Sequence, residues 1–351
     1  MPEREIIIDG TLINDDTDCY VIAEIGANHM GGLEVCKELF EVAAKCGCNA
    51  VKLQKRANKS LYTKALYDQV YDNRHSFGRT YGDHREFLEF GASEYRELIA
   101  HAKTLGITFF ATAFDIESAD FLEQLDMPAY KIASGDLTTT PLLEHVARFG
   151  KPMIVSTGGG SMADVLRAYE TIYPINRQLC FLQCTAAYPA EPQHLNLRVI
   201  HTLRERFPDL VIGLSDHQNG IAMSTAAYVM GARVIEKHFT RNRSWKGGDQ
   251  AFSLEPIGMS KMVRDLRRTR EALGDGVKQH LDLEVGPLRK MAKSLVASRE
   301  LAVGHVLTAD DIAMKSPADG LAAYHFHELV GRALKNPMAS DQPFTMDDLD
   351  R

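Results

Sequence analysis

The chain has 351 residues, of which 25% are charged and 45% hydrophobic, and this composition is typical of a folded globular protein. Its net charge of −7 at pH 7 argues against nucleic acid as a partner, because binding a phosphate backbone requires a concentrated basic surface. Scattered cysteines, an N-terminus without a signal-peptide pattern and the lack of a long apolar run predict a cytoplasmic protein with reduced thiols and no membrane segment.

From Cys19 onward, short strand-like runs alternate with amphipathic helical stretches such as 33–47 and 92–106. The strand candidates are rich in β-branched and apolar residues: YVIAEIG, NAVKLQK, TFFATAF, AYKIAS, PMIVST, LCFLQCT, VIGLSDH and VIEKHFT. Eight strand–helix units predict an α/β protein with a parallel (β/α)8 TIM barrel. A doubly wound open sheet is the alternative, although the glycine-rich turn expected after its first strand is missing.

Two segments extend beyond a minimal barrel. A long insert at 56–90, rich in Tyr, Asp, Arg and His, follows the second strand and is typical of a lid or a substrate wall. Near the C-terminus, short apolar runs cut by Gly, Pro and Asp predict a small β-rich module. We therefore expect a catalytic barrel at 1–280, a linker at 281–292 and a small domain at 293–351.

Polar residues close nearly every predicted strand, and two histidines stand out among them. His217 and His238 end consecutive strands, so that two imidazoles should meet at the carboxyl end of the barrel, where TIM-barrel active sites lie. Two imidazoles suit a divalent transition metal and leave coordination positions open for substrate oxygens. The alternative is that each histidine is a hydrogen-bonded core or loop residue.

Two lysines lie inside predicted strands. Burying Lys52 and Lys131 without partners would cost several kcal/mol each, so they must face carboxylates such as Glu24, an anionic ligand, or both. Together with Ser134, Ser156 and a glycine-rich turn, they would bind a phosphate and a carboxylate on one small ligand.

Several motifs resemble those of the sialic acid synthase (N-acylneuraminate synthase) family: AEIGANHMGG, AVKLQK, YKIASGD, FLQCTAAYP, GLSDH, and EKHFT followed by WKGGDQAFSLEP. The C-terminal residues resemble the antifreeze-like (SAF) domain of the same family. The resemblance implies metal-dependent condensation of phosphoenolpyruvate with an N-acylmannosamine-type sugar, its 6-phosphate or a modified derivative. The products would be a sialic acid or a related nine-carbon 2-keto acid and phosphate.

The resemblance also implies residue roles. His217 and His238 would hold the divalent metal, with manganese as the first choice and magnesium or cobalt as alternatives, and would be catalytic together with Glu24 as the acid or base. The predicted substrate-binding residues are Lys52, Gln54, Thr112, Lys131, Ser134, Ser156, Tyr188 and Asp249.

Two positions differ from the best-known bacterial members of that family. Ala186 stands where they have an asparagine, and Ser316 stands where they have an arginine that reaches the sugar's N-acyl group from a partner subunit. The identity of the acceptor sugar is therefore left open. Arg79, Arg85 and Lys246 are candidate replacement cations, including for a 6-phosphate, although solvated loop residues are the alternative.

Other functions remain open from the sequence. A Schiff-base aldolase would use Lys52 or Lys131 as its nucleophile and need no metal. A synthase of legionaminic or pseudaminic type would act on a different amino sugar. A surface-binding role for the C-terminal domain is disfavoured by charged residues such as Asp310 and Glu328. Instead, we expect this domain to swap across a homodimer and to cap the partner's barrel.

Overall fold

The computed structural model describes residues 4–350, and within this range it contains a closed barrel of eight parallel strands. In chain order the strands are β1 (Glu5–Ile8), β2 (Thr11–Asn14), β3 (Tyr20–Gly26), β4 (Ala50–Lys55), β5 (Thr108–Ala113), β6 (Tyr130–Ile132), β7 (Met153–Ser156), β8 (Leu179–Cys184), β9 (Val211–Asp216), β10 (Val234–His238), β11 (Ser294–Ala297) and β12 (Ile312–Lys315). Strands β3 to β10 follow one another around the barrel, and β10 closes it by pairing with β3. The predicted (β/α)8 barrel is confirmed.

Helices connect the barrel strands and cover them. They are α1 (Leu33–Lys45), α2 (Asn58–Leu61), α3 (Lys64–Tyr67), α4 (Tyr81–Phe87), α5 (Ala92–Leu105), α6 (Ile116–Gln124), α7 (Thr140–Ala147), α8 (Met162–Ile172), α9 (Val199–Arg206), α10 (Ala222–Val229) and α11 (Pro256–Leu273). In α1, the buried residues Cys36, Leu39, Phe40 and Ala43 recur at helical spacing and join the barrel core. The apolar periodicity of α1 therefore places this helix against the sheet.

A hairpin of β1 and β2, which the sequence patterns above did not predict, precedes the barrel. Asp9 and Gly10 connect the two strands with φ values of 49° and 77°, as an Asp-Gly two-residue turn requires. The hairpin buries Ile6, Ile8 and Ile13 in the main core. Asp9 also accepts a hydrogen bond from Thr108 at the start of β5, so the hairpin lies at the amino end of the barrel, opposite the strand ends that carry the site.

The predicted insert after β4 folds into α2, α3 and α4, which pack together through aromatic rings. Tyr81 contacts Tyr62 and Tyr71 edge to face, with ring centroids 5.1 and 5.4 Å apart. His84 packs on Tyr71 with centroids 4.8 Å apart and accepts a hydrogen bond from the amide of Phe77. The insert is therefore a packed wall rather than an irregular loop.

The chain divides into two compact units, Met1–Gly274 and Asp275–Arg351. The second unit therefore begins slightly before the expected barrel end at residue 280. The segment expected as a linker, 281–292, contains helix α12 (Val285–Met291) and a 3₁₀ turn at Asp282–Glu284. After it, β11 pairs antiparallel with β12, and helix α13 (Phe326–Leu329) follows.

The second unit has its own small core and a buried carboxylate. Leu295, Leu329 and Phe344 belong to an apolar cluster separate from that of the barrel. Asp311 accepts hydrogen bonds from Arg299 and from the backbone and hydroxyl of Thr308, and its other partner is His305 at 2.8 Å. Burial alone would raise the pKa of Asp311, but these bonds hold it well below its usual range.

The helices of the structure carry no membrane-spanning signature. Among residues 4–350, none has both the length and the apolar character that crossing a bilayer requires. The six cysteines are all buried and free of disulfide bonds.

Candidate active site

A cavity of 440 Å³ opens among the carboxyl ends of the barrel strands. The structure brings every site residue selected from the sequence to its wall: Glu24, Lys52, Gln54, Thr112, Lys131, Ser134, Ser156, Tyr188, His217, His238 and Asp249. These residues come from strands and loops that are distant in sequence. Only the closed barrel brings them together, and the roles given to them stay predictions.

Strand alternation explains which side chains face the cavity. Lys52 and Gln54 of β4 point inward because successive side chains of a strand point to opposite faces. Arg56 continues the same alternation one step past the strand end and also lines the cavity. Lys52 therefore lies deeper in the barrel, and Arg56 lies nearer its mouth.

Glu24 is the centre of a buried charge cluster. Its carboxylate lies 2.8 Å from the Nζ atom of Lys52 and accepts a hydrogen bond of 2.7 Å from Gln54. Lys52 also donates to Thr112 at 2.5 Å and lies 3.8 Å from Glu236. Burial raises the pKa of Glu24 to about 7, against the lowering effect of Lys52 and with a further raising effect of Glu236. A carboxyl group of this pKa exchanges protons readily near neutral pH.

A second buried cation lies across the cavity. Lys131 donates hydrogen bonds to the hydroxyl of Ser156 at 2.7 Å and to the carbonyl of Ile132 at 2.8 Å. Burial lowers the pKa of Lys131, and the nearby Lys52 lowers it further while Glu236 opposes the shift. Ser134 lies on the same wall and accepts a hydrogen bond from the amide of Gly158. Two lysines and two hydroxyls thus surround the inner half of the cavity.

The two histidines lie side by side, with ring centroids 5.4 Å apart. The Nδ1 atom of His217 lies 2.9 Å from the carbonyl oxygen of Thr185. Since a carbonyl only accepts, this contact requires a proton on Nδ1 and leaves the lone pair of Nε2 free. The ring of Tyr188 packs 4.3 Å from that of His217. His217 is therefore oriented as a metal ligand would be.

His238 offers a second free nitrogen. Its Nδ1 atom is buried, has no hydrogen-bond partner among the described residues and lies 3.9 Å from Oδ2 of Asp249. An unpartnered buried nitrogen is costly, and a bound cation would relieve that cost. The part of the chain between residues 4 and 350 holds no cluster of three or more His, Cys, Asp or Glu side chains arranged for a metal. The histidine pair thus fits a cation whose remaining ligands come from substrate or water.

Gly26 allows three polar groups to converge beside the histidines. Its φ of +54° lies in the left-handed region, and a Cβ atom there would come within 3.1 Å of Glu24, 3.2 Å of Gln54 and 3.5 Å of Asp249. The pairing of β3 with β4 also shifts register between Glu24 and Gly26. A larger residue would both strain the backbone and displace the Glu24 side chain.

Two arginines form the outer wall of the cavity. The guanidinium of Arg56 stacks 3.7 Å from the ring centroid of Phe114 and donates to Gln54, and that of Arg85 donates to the hydroxyl of Tyr81. Within residues 4–350, neither guanidinium has a carboxylate oxygen within 4.0 Å. Arg56 is only 9% exposed, and burial together with Arg85 lowers its pKa. Two neighbouring cations without carboxylate partners indicate a site for an anion.

The three cations proposed from the sequence lie in different places. Arg85 lines the cavity, as proposed, whereas Arg79 lines a separate surface pocket and Lys246 packs over the ring of Phe77 at 4.8 Å. Arg56 was not among the predicted cations, although its spacing of two residues from Gln54 and four from Lys52 places it on the same face of the strand. In the second unit, Ser316 donates to the carbonyl of Met291.

Comparison with known proteins gives two family matches. The model of the NeuB family matches residues 39–278, and that of the SAF domain matches residues 292–350. The N-acetylneuraminate-9-phosphate synthase of Homo sapiens is 40% identical over 315 residues, which cover 90% of this chain and 88% of that protein.

Two further matches are a curated relative and a solved structure. The N,N'-diacetyllegionaminic acid synthase of Campylobacter jejuni is 35% identical over 90% of this chain and 96% of that protein. Among solved structures, the N-acetylneuraminic acid (sialic acid) synthetase of Leptospira borgpetersenii, in complex with citrate, has a TM-score of 0.71 and 30% identity. That alignment covers 81% of this chain and 95% of the Leptospira chain.

Proposed function

Because the chain belongs to the NeuB family, as its motifs predicted, we propose that it condenses phosphoenolpyruvate with an N-acylmannosamine 6-phosphate. The products are the 9-phosphate of a nine-carbon 2-keto acid and inorganic phosphate. The observation that carries the proposal is that one cavity holds two separate cationic regions, the inner lysines and the outer arginines. Two anionic substrates bound end to end match this arrangement.

The inner region suits phosphoenolpyruvate. Its phosphate and carboxylate need several donors, and Lys52, Lys131, Ser134 and Ser156 supply them within one wall of the cavity. Gln54 and Thr112 hold the Lys52 and Glu24 side chains in place through hydrogen bonds. Placing the enol carbon towards the cavity mouth directs it at the aldehyde of the second substrate.

The outer region suits the phosphate of the sugar. Arg56 and Arg85 lie on the loop after β4 and on α4, nearer the mouth than Lys52. Because neither guanidinium has a carboxylate oxygen within 4.0 Å among residues 4–350, a dianionic phosphate gains charge-assisted hydrogen bonds there. The human relative, whose name specifies a 9-phosphate product, supports the same assignment.

His217 and His238 would hold a divalent cation, manganese in first place and magnesium or cobalt as alternatives. Such a cation supplies Lewis-acid polarisation of the sugar aldehyde when bound. Asp249, 3.9 Å from His238, orients that ring or a sugar hydroxyl. Tyr188 packs against His217 and limits the freedom of its ring.

Glu24 acts on the water that completes the reaction. Attack of the enol carbon on the aldehyde forms the new C–C bond, breaks the C=O π bond and leaves positive charge at C2 of the phosphoenolpyruvate unit. The former aldehyde oxygen takes up a proton from solvent and becomes a hydroxyl. Water then adds at C2 and passes a proton to Glu24, whose pKa of about 7 suits a base at neutral pH. Loss of inorganic phosphate from C2 gives the ketone.

If the acceptor sugar carries a 6-phosphate, the protein should prefer the phosphorylated sugar to uncharged sugars. Phosphate release from phosphoenolpyruvate should be fastest with N-acetylmannosamine 6-phosphate in a panel that also contains the free sugar and diacetamido sugars. Arg85→Met and Arg56→Met should each raise the KM for the 6-phosphate by about 10- to 100-fold, since charge-assisted hydrogen bonds contribute about 1.5–3 kcal/mol. The KM for phosphoenolpyruvate should change little.

Arg79→Met is the matched control, because Arg79 is an arginine of the same insert that does not line the cavity. It should leave both KM values unchanged. A wild-type protein that prefers the free sugar or a diacetamido sugar would contradict the 6-phosphate assignment, although it would leave the condensation itself in place.

A Schiff-base aldolase is the competing chemistry. Lys52 is held by Glu24 and Thr112, and Lys131 by Ser156 and a carbonyl, so either amine would have to leave these partners to attack a ketone. Borohydride trapping of a substrate adduct on a lysine, together with full activity in a chelator, would favour the aldolase.

We also propose that the protein works in the cytoplasm as a homodimer in which the second unit of each copy caps the partner's barrel. The buried, unbridged cysteines suit a reducing compartment. The apolar side chains of Met291, Met314 and Tyr324 in the second unit are exposed and offer a contact surface. Deleting the residues after Lys290 should give a monomer with weakened sugar affinity, measured by light scattering and steady-state kinetics. A truncated dimer with unchanged sugar affinity would exclude the swap.

A further inference from the structure

Behind the histidine pair lies a buried ion pair that does not line the cavity. Lys237 and Asp216 are each 1% exposed, and Nζ of Lys237 lies 2.8 Å from Oδ2 of Asp216. Ser224 of α10, itself fully buried, donates its hydroxyl to the same carboxylate at 2.8 Å. The pair therefore lies between the barrel and α10, on the face of the sheet opposite the site.

The strand register connects this ion pair to the histidines. Lys237 and Asp216 are Cα partners in the pairing of β10 with β9, and they form the last pair of that ladder. His238 and His217 are the residues that immediately follow them. Successive side chains of a strand alternate between the two faces of the sheet. The ion pair therefore joins the two strands on the outer face, one residue before the two imidazoles, which face the cavity.

The ion pair also fixes the chain on both sides of His217. The amide of Gln218 donates to Oδ1 of Asp216 at 2.9 Å, and the ammonium of Lys237 donates to the carbonyl of Gln218. Asp216 and Gln218 flank His217 in sequence. The strand that carries His238 thus holds the turn that carries His217 through direct hydrogen bonds.

Stability alone does not account for a buried pair at this position. Desolvating two charges costs several kcal/mol per ion, and an apolar pair of similar volume is often as stable or more stable. An apolar pair, however, does not fix the distance between two strand ends or their relative orientation. Hydrogen bonds from three chain segments to one carboxylate provide both.

We propose that Lys237 and Asp216 are positioning residues that set the separation and orientation of His217 and His238 for the divalent cation. The inference rests on the proposed function, because the cation belongs to that function. Residues outside the cation's direct ligands that orient those ligands typically contribute 10- to 100-fold to its affinity.

The test uses the double variant Asp216→Asn with Lys237→Met in the full chain, which removes both charges and so avoids leaving one unpaired. Manganese affinity is measured without substrate from the EPR signal of free Mn²⁺, and thermal unfolding of the metal-free protein reports stability. We expect the dissociation constant for Mn²⁺ to rise by about tenfold or more. At saturating Mn²⁺, kcat should fall while the KM for phosphoenolpyruvate stays within about twofold, because the inner lysines are untouched.

The control is Asp15→Asn with Arg204→Met, which breaks a charge cluster away from the cavity, in which Asp15 pairs with Arg4, Arg204 and Arg233. It should change thermal stability without changing Mn²⁺ affinity. Ser224→Ala is a milder variant that keeps both charges, and it should weaken Mn²⁺ binding by about two- to fivefold.

A crystal structure of the metal-free double variant gives a readout that does not depend on the cation. The proposal expects ring centroids of His217 and His238 that are no longer 5.4 Å apart. Unchanged ring separation together with unchanged Mn²⁺ affinity would overturn it. If the wild-type protein binds no Mn²⁺, the proposed metal use fails, and the ring separation alone then decides whether the pair positions the histidines.

Discussion

Replacing His217 with alanine should lower kcat by on the order of 10³ or more, and replacing His238 should have the same effect. The cation held by the two rings is expected to supply several kcal/mol of charge stabilisation in the transition state, and each 1.36 kcal/mol corresponds to about tenfold in rate. The variants should keep the wild-type thermal unfolding profile, since an alanine at the cavity wall removes no part of the apolar barrel core. Phosphate release from phosphoenolpyruvate, measured with saturating sugar, is the readout.

His201→Ala is the matched control, because His201 is an exposed histidine on α9. It should retain wild-type kcat. Chelation of the wild-type protein should reproduce the loss seen in the histidine variants, and added Mn²⁺ should restore activity in the wild type alone. Near-normal turnover of either site variant would remove that histidine from the mechanism.

Replacing Glu24 with glutamine should lower kcat by about 10²- to 10⁴-fold, the usual contribution of a positioned acid or base. Glutamine keeps the size of the side chain and one acceptor oxygen that can face Lys52, but its NH2 group cannot accept the hydrogen bond from Gln54. Because Lys52 keeps an acceptor, substrate binding should change little. Steady-state kinetics should therefore show the loss in kcat rather than in the KM for phosphoenolpyruvate.

The pKa of Glu24 also predicts the direction in which the reaction rate changes with pH. Burial raises the pKa of Glu24 to about 7, so the carboxylate that accepts the proton is abundant above pH 7 and is lost as the pH falls through that value. The rate of the wild-type protein should decline below about pH 7, and the glutamine variant should lose this decline. Glu170→Gln, at an exposed residue of α8, is the control and should keep both rate and profile. A variant that stays active with an unchanged acidic decline would assign the proton transfer to another group.

The barrel could be predicted from the sequence because the patterns that indicate its strands and helices are local. Alternating strand and helix patterns are set by neighbours in the chain, as the buried spacing of Cys36, Leu39 and Phe40 in α1 shows. The Asp9–Gly10 hairpin had an equally local signal and was overlooked. Family motifs then predicted the residues that line the cavity, including both histidines.

Other features depend on contacts between segments far apart in the chain. Arg56 and Arg85 have no carboxylate partner among residues 4–350, whereas Lys237 forms an ion pair with Asp216. Both facts depend on distances between separate elements, which no local sequence pattern encodes. The pKa of Glu24 likewise depends on burial and on Lys52 and Glu236 of two neighbouring strands.

The sequence by itself therefore determined the order and type of the elements, the family and the residue types at the strand ends. The tertiary structure decided which of those polar groups are paired, which are left free for a ligand, and how the two histidines face each other. The physical reason is that hydrophobic periodicity acts within a single helix or strand, whereas electrostatic pairing and desolvation are set by distances that exist only once the barrel closes.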